Sequence, residues 1–451
     1  MSLSIAIVGG GLNGKAMALA ACRYIQEQEL DCQLTLIDEG SLLQASAKAY
    51  GQDFWISSLE FSDSRTYSLT PASIEFLQSL VAADLRPFFQ PAAQDQSASP
   101  FCFYQNIEVW DQASGSTIEF TADDIRLPYL GAMVEHRHMD ALLDQSLLAC
   151  DCELRGDTEV VALEYSDQLS QPAKNLQSGS LSTSKTAQIT LTTNQHGKES
   201  QSSYHFVIAC DGSQSPLRSM AGIGAQHLDY QQSALVFNAI VEHASPANEA
   251  KGFPYTRAKQ VFAPTGPCAM LPLTPFENKD QLFNLVWSYD SYDVPRLQAM
   301  SDQEFLAELN HLFRDEAAQF TSIGSRTAVP LRKVMADKMS ARYVALVGDS
   351  AHLIHPLAGQ GINLGFADAR SLIDAFQSTQ GFAQGLNREQ VLSRYSRARS
   401  LKNKTTAATM DLFYRGFSSA SPSVGYLRSK GLGIVDNSTA LKKLFMSLAT
   451  G

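Results

Sequence analysis

A glycine-rich turn between an apolar run and a helical pattern constrains the N-terminal fold more than any other feature. Leu3–Val8 is an apolar run that ends at glycines, Lys15–Gln26 has small apolar residues at helical spacing, and Gln33–Ile37 is typical of a second strand. This order predicts a β-α-β unit. Two more apolar runs, Tyr204–Cys210 and Tyr343–Val347, end at Asp-Gly and Gly-Asp. Runs of this kind are typical of a parallel sheet covered on both faces, so we expect an α/β fold.

Length and charge exclude some classes. The chain has 451 residues, of which 44% are hydrophobic, and its formal net charge is -11. This length predicts two or three domains. The negative charge argues against a nucleic-acid partner, whose phosphates require a basic surface.

The seven cysteines and the N-terminus indicate a cytoplasmic protein. The cysteines are scattered without a Cys-x-x-Cys pair, so we expect reduced thiols, with Cys150 and Cys152 on one face of a strand. Neither a basic leader nor an uncharged apolar run of about 18 residues is present in the sequence. We therefore expect a soluble protein, or one peripheral to the inner membrane.

The pattern changes along the chain predict a discontinuous domain organisation. Polar residues dominate 167–203, which predicts a long exposed hairpin or loop, and 92–100 is typical of a second surface loop. Alternating segments between about 225 and 325 predict a mostly antiparallel sheet, and helical sequence follows Gly365. The predicted boundaries are a cofactor-binding domain at 1–75, 105–222 and 325–385, a substrate domain at 76–104 and 223–324, and a C-terminal helical segment at 386–451.

The first glycine turn has the spacing Gly9-x-Gly11-x-x-Gly14. Its glycines allow a tight turn, a close approach of phosphate to backbone, and close packing of helix on strand, while the helix N-terminus offers free N–H groups. Asp38 ends the second strand, where a carboxylate accepts hydrogen bonds from an adenosine ribose, and Glu39 is an adjacent rival. The turn predicts a dinucleotide site without distinguishing NAD from FAD.

Two further motifs end buried strands. Asp211-Gly212 and Gly348-Asp349 would each be an ordinary turn in isolation, but the carboxyl ends of parallel strands are where such sheets bind ligands. We expect Asp349 to hold ribityl hydroxyls. Amides at the start of a helix near Gly361 would face the flavin pyrimidine carbonyl, where negative charge develops on reduction.

A long segment from Gly348 to Asp368 resembles the signature of the ubiquinone-biosynthesis hydroxylases, a branch of the single-component FAD-dependent aromatic hydroxylases. The resemblance extends to Val261–Leu273, Tyr426–Gly433 and Leu441–Met446, and so covers nearly the whole chain except 167–203. It implies the aromatic-hydroxylase fold: a Rossmann-like FAD-binding domain, an inserted antiparallel substrate domain and C-terminal helices. Asp38 in place of a more usual glutamate, and Ser350 in place of alanine, are departures that should not abolish binding.

The resemblance also implies the roles of particular residues. Arg65 and Arg137 match positions beside the FAD pyrophosphate and along the cofactor groove, and Pro356 with the loop to Asn363 would lie against the flavin ring. The resulting catalytic set is Pro356, Gly361, Ile362 and Asn363. The cofactor-binding set is Gly9, Gly11, Leu12, Asn13, Gly14, Asp38, Glu39, Arg65, Arg137, Asp211, Gly348, Asp349, Pro356, Gly359, Gln360, Gly361, Ile362 and Asn363.

The implied activity is hydroxylation of the aromatic ring of a polyprenylated phenol or quinol by NAD(P)H and dioxygen, through a flavin hydroperoxide. Only one Gly-x-Gly-x-x-Gly occurs, so we expect NAD(P)H to dock transiently. We expect no metal site, and His352 and His355 are more typical of structural histidines. Contact with other quinone-biosynthesis proteins or a membrane surface is an expectation. The alternatives are a hydroxylase of a soluble phenol or xenobiotic, and a non-catalytic scaffold with the flavin fold.

Overall fold

A computed structural model describes most of the chain. The described residues are 3–42, 59, 65–91, 99–166, 188–241, 257–274, 281–313, 319–354, 360–379 and 387–418.

The helices and strands follow one another along the chain in a mixed order. The helices are α1 (Leu12–Glu27), α2 (Pro71–Leu80), α3 (His136–Leu147), α4 (Pro216–Met220), α5 (Val294–Ala299), α6 (Asp302–Phe313), α7 (Gln360–Ser378) and α8 (Arg388–Ser418). The strands are β1 (Leu3–Val8), β2 (Cys32–Ile37), β3 (Thr66–Leu69), β4 (Phe101–Tyr104), β5 (Asn106–Asp111), β6 (Thr117–Thr121), β7 (Gly131–Glu135), β8 (Glu153–Arg155), β9 (Glu159–Tyr165), β10 (Ile189–Gln195), β11 (Lys198–Tyr204), β12 (Phe206–Ala209), β13 (Ala225–Val241), β14 (Arg257–Ala263), β15 (Gly266–Pro272), β16 (Gln281–Asp290), β17 (Phe320–Ile323), β18 (Thr327–Ala336), β19 (Ser340–Ala341), β20 (Val344–Leu346) and β21 (His352–Leu353).

A six-stranded sheet carries the three glycine-aspartate motifs. Its strand order is β19-β20-β12-β1-β2-β8, parallel except for the short β19. Strands β1, β12 and β20 are buried along nearly their whole length, because α1, α3, α7 and α8 pack on this sheet. The predicted β-α-β unit and the parallel sheet are confirmed.

A second sheet of nine strands is mostly antiparallel, as the alternating pattern predicts. Its order is β21-β18-β13-β16-β15-β14-β5-β6, with β17 also on β13. The side chains of Phe237 and Trp287 point to the face covered by α6, where each contacts Phe305 edge-on at 5.1 and 6.0 Å between ring centroids. Trp287 is a buried residue of the hydrophobic core on this face.

Two segments contact elements outside the domain to which the sequence analysis assigns them. Strand β5, assigned by sequence to the cofactor-binding domain, pairs in parallel with β14 of the nine-stranded sheet. Helix α2, assigned in part to the substrate domain, packs on α1 and α7 through Phe76 and Leu77. The division into domains as a whole stays a prediction.

The predicted exposed hairpin or loop at 167–203 is a hairpin in its second half, but its first strand is buried and not exposed. Residues 167–187 lie outside the described part, but β10 and β11 form a regular hairpin that pairs with β9. Ile189 and Leu191 are fully buried, because alternate residues of β10 face the hydrophobic core that also contains β1, β2 and β12. Ser99 is likewise buried, whereas 92–98 of the predicted surface loop lie outside the description.

The prediction for Cys150 and Cys152 needs correction, and the prediction of C-terminal helices can be compared with the structure up to residue 418. Cys150 and Cys152 lie in the connection between α3 and β8, not on a strand, because the helix extends to Leu147. The predicted C-terminal helices are confirmed as α7 and α8, and residues 419–451 lie outside the description.

The close packing of α1 on β1 leads to a test of the first glycine turn. A Cβ on Gly14 would lie 1.7 Å from the carbonyl oxygen of Gly9, whereas a Cβ on Gly11 would meet nothing within 4 Å. Gly14→Ala should therefore lower the free energy of unfolding by about 3 kcal/mol or more. Gly11, with φ of -67°, is the matched control, and Gly11→Ala should change it by about 0.5 kcal/mol or less. Chemical denaturation measures both, and equal losses would contradict this account of the packing.

Candidate active site

The three motifs meet at one edge of the six-stranded sheet. Strands β20, β12 and β1 are adjacent and parallel, so their carboxyl ends lie side by side. Gly9 follows β1, Asp211 follows β12, and Gly348 follows β20. The strand order brings these distant segments together, and their forming one cofactor site stays a prediction.

Backbone contact holds the first two motifs together. A Cβ on Gly9 would lie 2.3 Å from the carbonyl oxygen of Cys210, and Gly9 has φ of +108°, a conformation that favours glycine. The Cys210 amide donates to the carbonyl of Val8 at 2.7 Å. A side chain at Gly9 would separate the two strand ends.

Asn13 joins the first motif to the third. A Cβ on Gly348 would lie 2.3 Å from Asn13 Nδ2, and a Cβ on Gly365 would lie 2.3 Å from Asn13 Oδ1. Asn13 Oδ1 is buried and has no hydrogen-bond partner among the described residues. Such an atom costs free energy unless a bound group satisfies it. The neighbouring Leu12 packs its side chain in the core, which leaves only its backbone for a cofactor.

Arg218 links the second and third motifs, and the sequence reasoning did not identify it. Its Nη1 donates to the carbonyl of Ser350 at 2.8 Å and its Nη2 to the carbonyl of Ser213 at 3.0 Å. Ser350 adds a second link, because its hydroxyl donates to the Ala209 carbonyl at 2.6 Å. Ser350, at a position where the resembled family usually has alanine, therefore links β20 to β12 through its hydroxyl. The signal for Arg218 was weak, since an isolated arginine after a Ser-Pro turn is usually a surface residue.

The acidic residue at the end of β2 faces the glycine turn. Asp38 accepts hydrogen bonds from the amides of Gly10, at 2.5 Å, and Gly40, at 2.8 Å, whereas Glu39 is exposed. Each Asp38 oxygen retains capacity to accept from a ribose hydroxyl. Of the two rivals, Asp38 is the one oriented toward the turn, and its role stays a prediction.

Asp211 and Asp349 are both buried enough to raise the pKa of their carboxyl groups. Asp211 accepts from Ser215 Oγ at 2.5 Å and from the Leu217 amide at 3.0 Å, so it caps α4. Asp349 lies in a 3-10 turn that starts at Gly348, where φ is +66°. Asp349 therefore fits the predicted ribityl contact better than Asp211, whose oxygens already serve a helix.

The start of α7 is fixed on β3 by a side chain predicted to be catalytic. Asn363 Oδ1 accepts from the Thr70 amide at 3.0 Å, and its Nδ2 donates to the Ser68 carbonyl at 2.8 Å. The first amides of α7, including those of Gly361 and Ile362, have no intrahelical acceptor. A Cβ on Gly361 would meet no atom of the described residues within 4 Å, so this helix end is not covered by the described part of the chain. Gln360 begins the helix, and Pro356, Gly359 and His355 lie outside the described residues.

The two predicted arginines lie beside the ends of two paired strands, Arg65 just before β3 and Arg137 in the first turn of α3. Arg65 precedes β3 and Arg137 follows β7, and the Arg65 carbonyl accepts from the His136 amide at 3.0 Å. Arg137 Nε is 2.6 Å from Glu135 Oε2, and Glu135 is 3% exposed. The sequence reasoning did not identify Glu135, which holds the guanidinium of Arg137 in place.

The fully buried carboxylate of Asp368 forms a hydrogen bond with the third motif. Asp368 Oδ2 accepts from the Gly348 amide at 3.1 Å and lies 2.6 Å from His352 Nε2. Its Oδ1 accepts from Arg399 Nε at 2.6 Å and from Asn403 Nδ2 at 3.2 Å. Burial by itself would raise the pKa of Asp368, but the charges and hydrogen bonds of His352 and Arg399 hold it below its usual value. His352 is structural, as expected, and Arg399 and Asn403 were not identified from the sequence.

These features fit a dinucleotide with a flavin ring. Two helix N-termini, an unsatisfied Asn13 Oδ1 and glycines with open space at Gly11 and Gly361 border the same sheet edge. Within the described ranges, no group of three or more His, Cys, Asp or Glu side chains could hold a metal ion. No helix of the described part is long and apolar enough to cross a membrane. Fold and site define a flavoprotein of the dinucleotide-binding class.

Comparisons with known proteins identify the family. Residues 173–409 match the FAD binding domain family. The chain is 30% identical over 448 residues to 3-demethoxyubiquinol 3-hydroxylase of Escherichia coli (strain K12), covering 99% of this chain and 98% of that protein. It is 27% identical to the mitochondrial ubiquinone biosynthesis monooxygenase COQ6 of Mus musculus, covering 99% and 90%.

Among solved structures, p-nitrophenol 4-monooxygenase PnpA from Pseudomonas putida DLL-E4 has a TM-score of 0.68 at 15% identity, covering 100% of this chain and 98% of that one. This likeness confirms the aromatic-hydroxylase fold. The chain belongs to the family of FAD-dependent hydroxylases that includes these ubiquinone-biosynthesis enzymes, and it is an FAD-dependent monooxygenase.

The buried Asp368 network generates a stability prediction. Asp368→Asn should lower the free energy of unfolding by about 3–5 kcal/mol, because Arg399 loses its buried counter-charge. The loss should be full above about pH 4 and shrink as the pH falls toward the lowered pKa of Asp368, where the wild-type carboxylate is also protonated. Chemical denaturation at pH 7 and at lower pH measures it.

Asp374→Asn is the matched control, since Asp374 is exposed on the same helix. It should change the free energy of unfolding by about 0.5 kcal/mol or less. Equal effects of the two substitutions at pH 7 would contradict the network.

Proposed function

We propose that the protein hydroxylates the aromatic ring of a polyprenylated phenol or quinol in ubiquinone biosynthesis, with FAD as cofactor and NAD(P)H and dioxygen as co-substrates. The observation that carries the proposal is an apolar row on the nine-stranded sheet that faces the cofactor edge. Similarity to the Escherichia coli hydroxylase over nearly the whole chain supports the substrate class.

The apolar row crosses three strands. Val236 pairs with Val286, and Val286 pairs with Ala269, so the three side chains stand side by side. All three are partly exposed and lie on the face opposite α6, which covers Phe237 and Trp287. Partly exposed apolar side chains in register form a wall suited to an aromatic ring and a prenyl chain.

Hydrogen bonds link this face to strand β3, which supports a position beside the flavin. Asn284, two residues from Val286 on the same face, accepts from Thr66 Oγ1 at 2.9 Å and donates to Asn238 Oδ1 at 2.9 Å. Thr66 belongs to β3, whose Ser68 carbonyl holds Asn363 at the start of α7. Strand β3 thus connects the apolar row with the helix end proposed to bind the flavin.

Bound FAD would supply the redox chemistry with dioxygen, and the chain's own residues would position and shield it. Gly9, Gly11 and the start of α1 would hold the pyrophosphate, with Asp38 at the ribose and Asp349 at the ribityl chain. The amides of Gly361 and Ile362 would stabilise negative charge on the ring.

NAD(P)H has no dedicated dinucleotide turn in the sequence, so we propose transient docking. The apolar wall would exclude water while the ring is positioned. A polyprenyl chain partitions into bilayers, so we also propose peripheral contact with a membrane surface.

An oxygen-dependent product assay tests this function. The purified protein with FAD and either nicotinamide should convert a prenylated phenol to a product that contains one atom of ¹⁸O from labelled dioxygen. No product should form without oxygen, and the unprenylated phenol should react about tenfold less efficiently or worse, because a lost chain removes apolar burial.

A variant of the apolar row sharpens the assay. Val286→Asp should lower kcat/KM by about tenfold or more without loss of bound flavin, because it places a charge in the substrate wall. Val329→Asp is the control, since Val329 is 42% exposed on the same sheet. Failure of a full panel of prenylated phenols to yield labelled product would refute the function, and equal effects of the two substitutions would refute the placement of the substrate.

A further inference from the structure

The sheet face that carries the apolar row ends at a glutamine. Along β13 and β16, Val236 pairs with Val286 and Gln232 pairs with Asp290, in one unbroken register. Paired residues share a face of the sheet, and so do residues an even number apart in one strand. Gln232 therefore lies on the same face as the apolar row, four residues along β13 from Val236.

Gln232 carries a hydrogen-bond acceptor that the described part of the chain leaves unused. The residue is 7% exposed, and its Oε1 is buried and has no hydrogen-bond partner among the described residues. Its Nε2 donates to Asp290 Oδ1 at 3.4 Å, which decides the orientation of the amide. A buried carbonyl oxygen without a donor costs free energy. A ligand that brings a hydroxyl group to this oxygen would recover that cost.

The segment that leads to Gln232 departs from regular pairing. The register between β13 and β18 shifts between Asp229 and Ser233, and Gln231 has φ of +58°. Such irregularities re-aim side chains and are frequent beside binding sites. Because residues 230–232 lie outside the regular ladder with β18, a small shift of this segment can expose Gln232 Oε1 to a ligand.

Tyr230 and α8 close this end of the face. Tyr230 is 8% exposed and packs in one cluster with Val236 and Val286 of the apolar row. Its hydroxyl donates to Asp411 Oδ1 at 2.5 Å, and Lys333 Nζ lies 2.5 Å from Asp411 Oδ2. These contacts fix α8 against the sheet beside the apolar row.

The same stretch of α8 contacts the helix proposed to bind the flavin. Ala407, about one helical turn before Asp411, packs in one cluster with Leu364 of α7. Leu364 follows Asn363, whose side chain fixes the start of α7 on β3. One helix therefore connects the Gln232 end of the sheet face with the proposed flavin position.

We propose that Gln232 Oε1 accepts a hydrogen bond from the ring hydroxyl of the substrate. The inference rests on the proposed function, because it takes the apolar row as the wall for the aromatic ring. A phenol or quinol carries the O–H donor that this oxygen lacks, whereas a ring without a free hydroxyl leaves the oxygen unpaired. Gln232 thus selects substrates in the phenol or quinol form, and the apolar row supplies contact area without that selectivity.

Binding in the absence of NAD(P)H tests the assignment without turnover. The probes are a geranyl-substituted phenol and the corresponding toluene, in which a methyl group of similar size replaces the hydroxyl. Equilibrium dialysis against the FAD-loaded full chain gives a dissociation constant for each. Gln232→Met, which keeps the side-chain length but removes the acceptor, should raise the dissociation constant of the phenol about tenfold. That of the toluene should change by less than about twofold, because the toluene has no donor to lose.

Gln226→Met is the matched control, since Gln226 is an exposed glutamine on the same strand. It should leave both dissociation constants unchanged within about twofold. Chemical denaturation supplies a second readout. The denaturation midpoint of Gln232→Met should not fall below that of the wild type, because the substitution removes a buried oxygen that has no donor. Gln232→Leu should give the same pattern, so the result does not depend on one variant.

The outcomes separate this inference from the proposed function. Equal weakening of both probes would show that Gln232 acts only through the fold, and an unchanged dissociation constant of the phenol would show that Gln232 makes no contact with it. Either result would overturn the proposal. If the wild type still forms ¹⁸O-labelled product, such a result refutes the Gln232 assignment alone. A wild type that binds neither probe and forms no labelled product would refute the proposed function as well.

Discussion

Close contact between strand ends is the constraint on which the site depends. Gly9 lies against the Cys210 carbonyl, and Asn13 fills the space left by Gly348 and Gly365. No side chain larger than hydrogen fits at these glycines without displacing a neighbouring segment. The parallel order of β1, β12 and β20 brings three motifs to one edge, and the missing Cβ atoms let them touch. The open helix ends at Gly11 and Gly361 are then available to a ligand.

Buried charged side chains stabilise this arrangement. Arg218 bridges the carbonyls of Ser213 and Ser350, while Asp368 on α7 contacts the third motif, His352 and α8. Each carbonyl or carboxylate is partnered, so the desolvation cost of burial is offset by charge-assisted hydrogen bonds. The C-terminal helix α8 is thereby part of the support for the cofactor edge.

Sequence alone predicted the elements whose signal is local. The strand-turn-helix order around Gly9 and the alternation of the nine-stranded sheet follow from periodicity and glycine chemistry, and both are confirmed. The hairpin β10–β11 was among the predicted alternatives, but the burial of β10 was missed, because polar residues on one face of a strand resemble an exposed segment when the partner strand is unknown. Arg218 and Arg399 were missed for a related reason: their partners Ser350 and Asp368 are distant in sequence, and nothing local distinguishes the two arginines from surface residues. Glu135 pairs with Arg137, only two residues away, but its burial is not apparent from the sequence. The pairing of β5 with β14 and the packing of α2 on α1 and α7 likewise depend on partners that are distant in sequence.

The most direct test of a single FAD at the converging strand ends is the flavin retained per chain after gel filtration, read from the visible absorption spectrum. The wild type should retain about one FAD per chain. Gly11→Asp, which places a carboxylate at the open helix N-terminus proposed for the pyrophosphate, should retain about tenfold less. A colourless wild type, or equal retention by both proteins, would contradict the account.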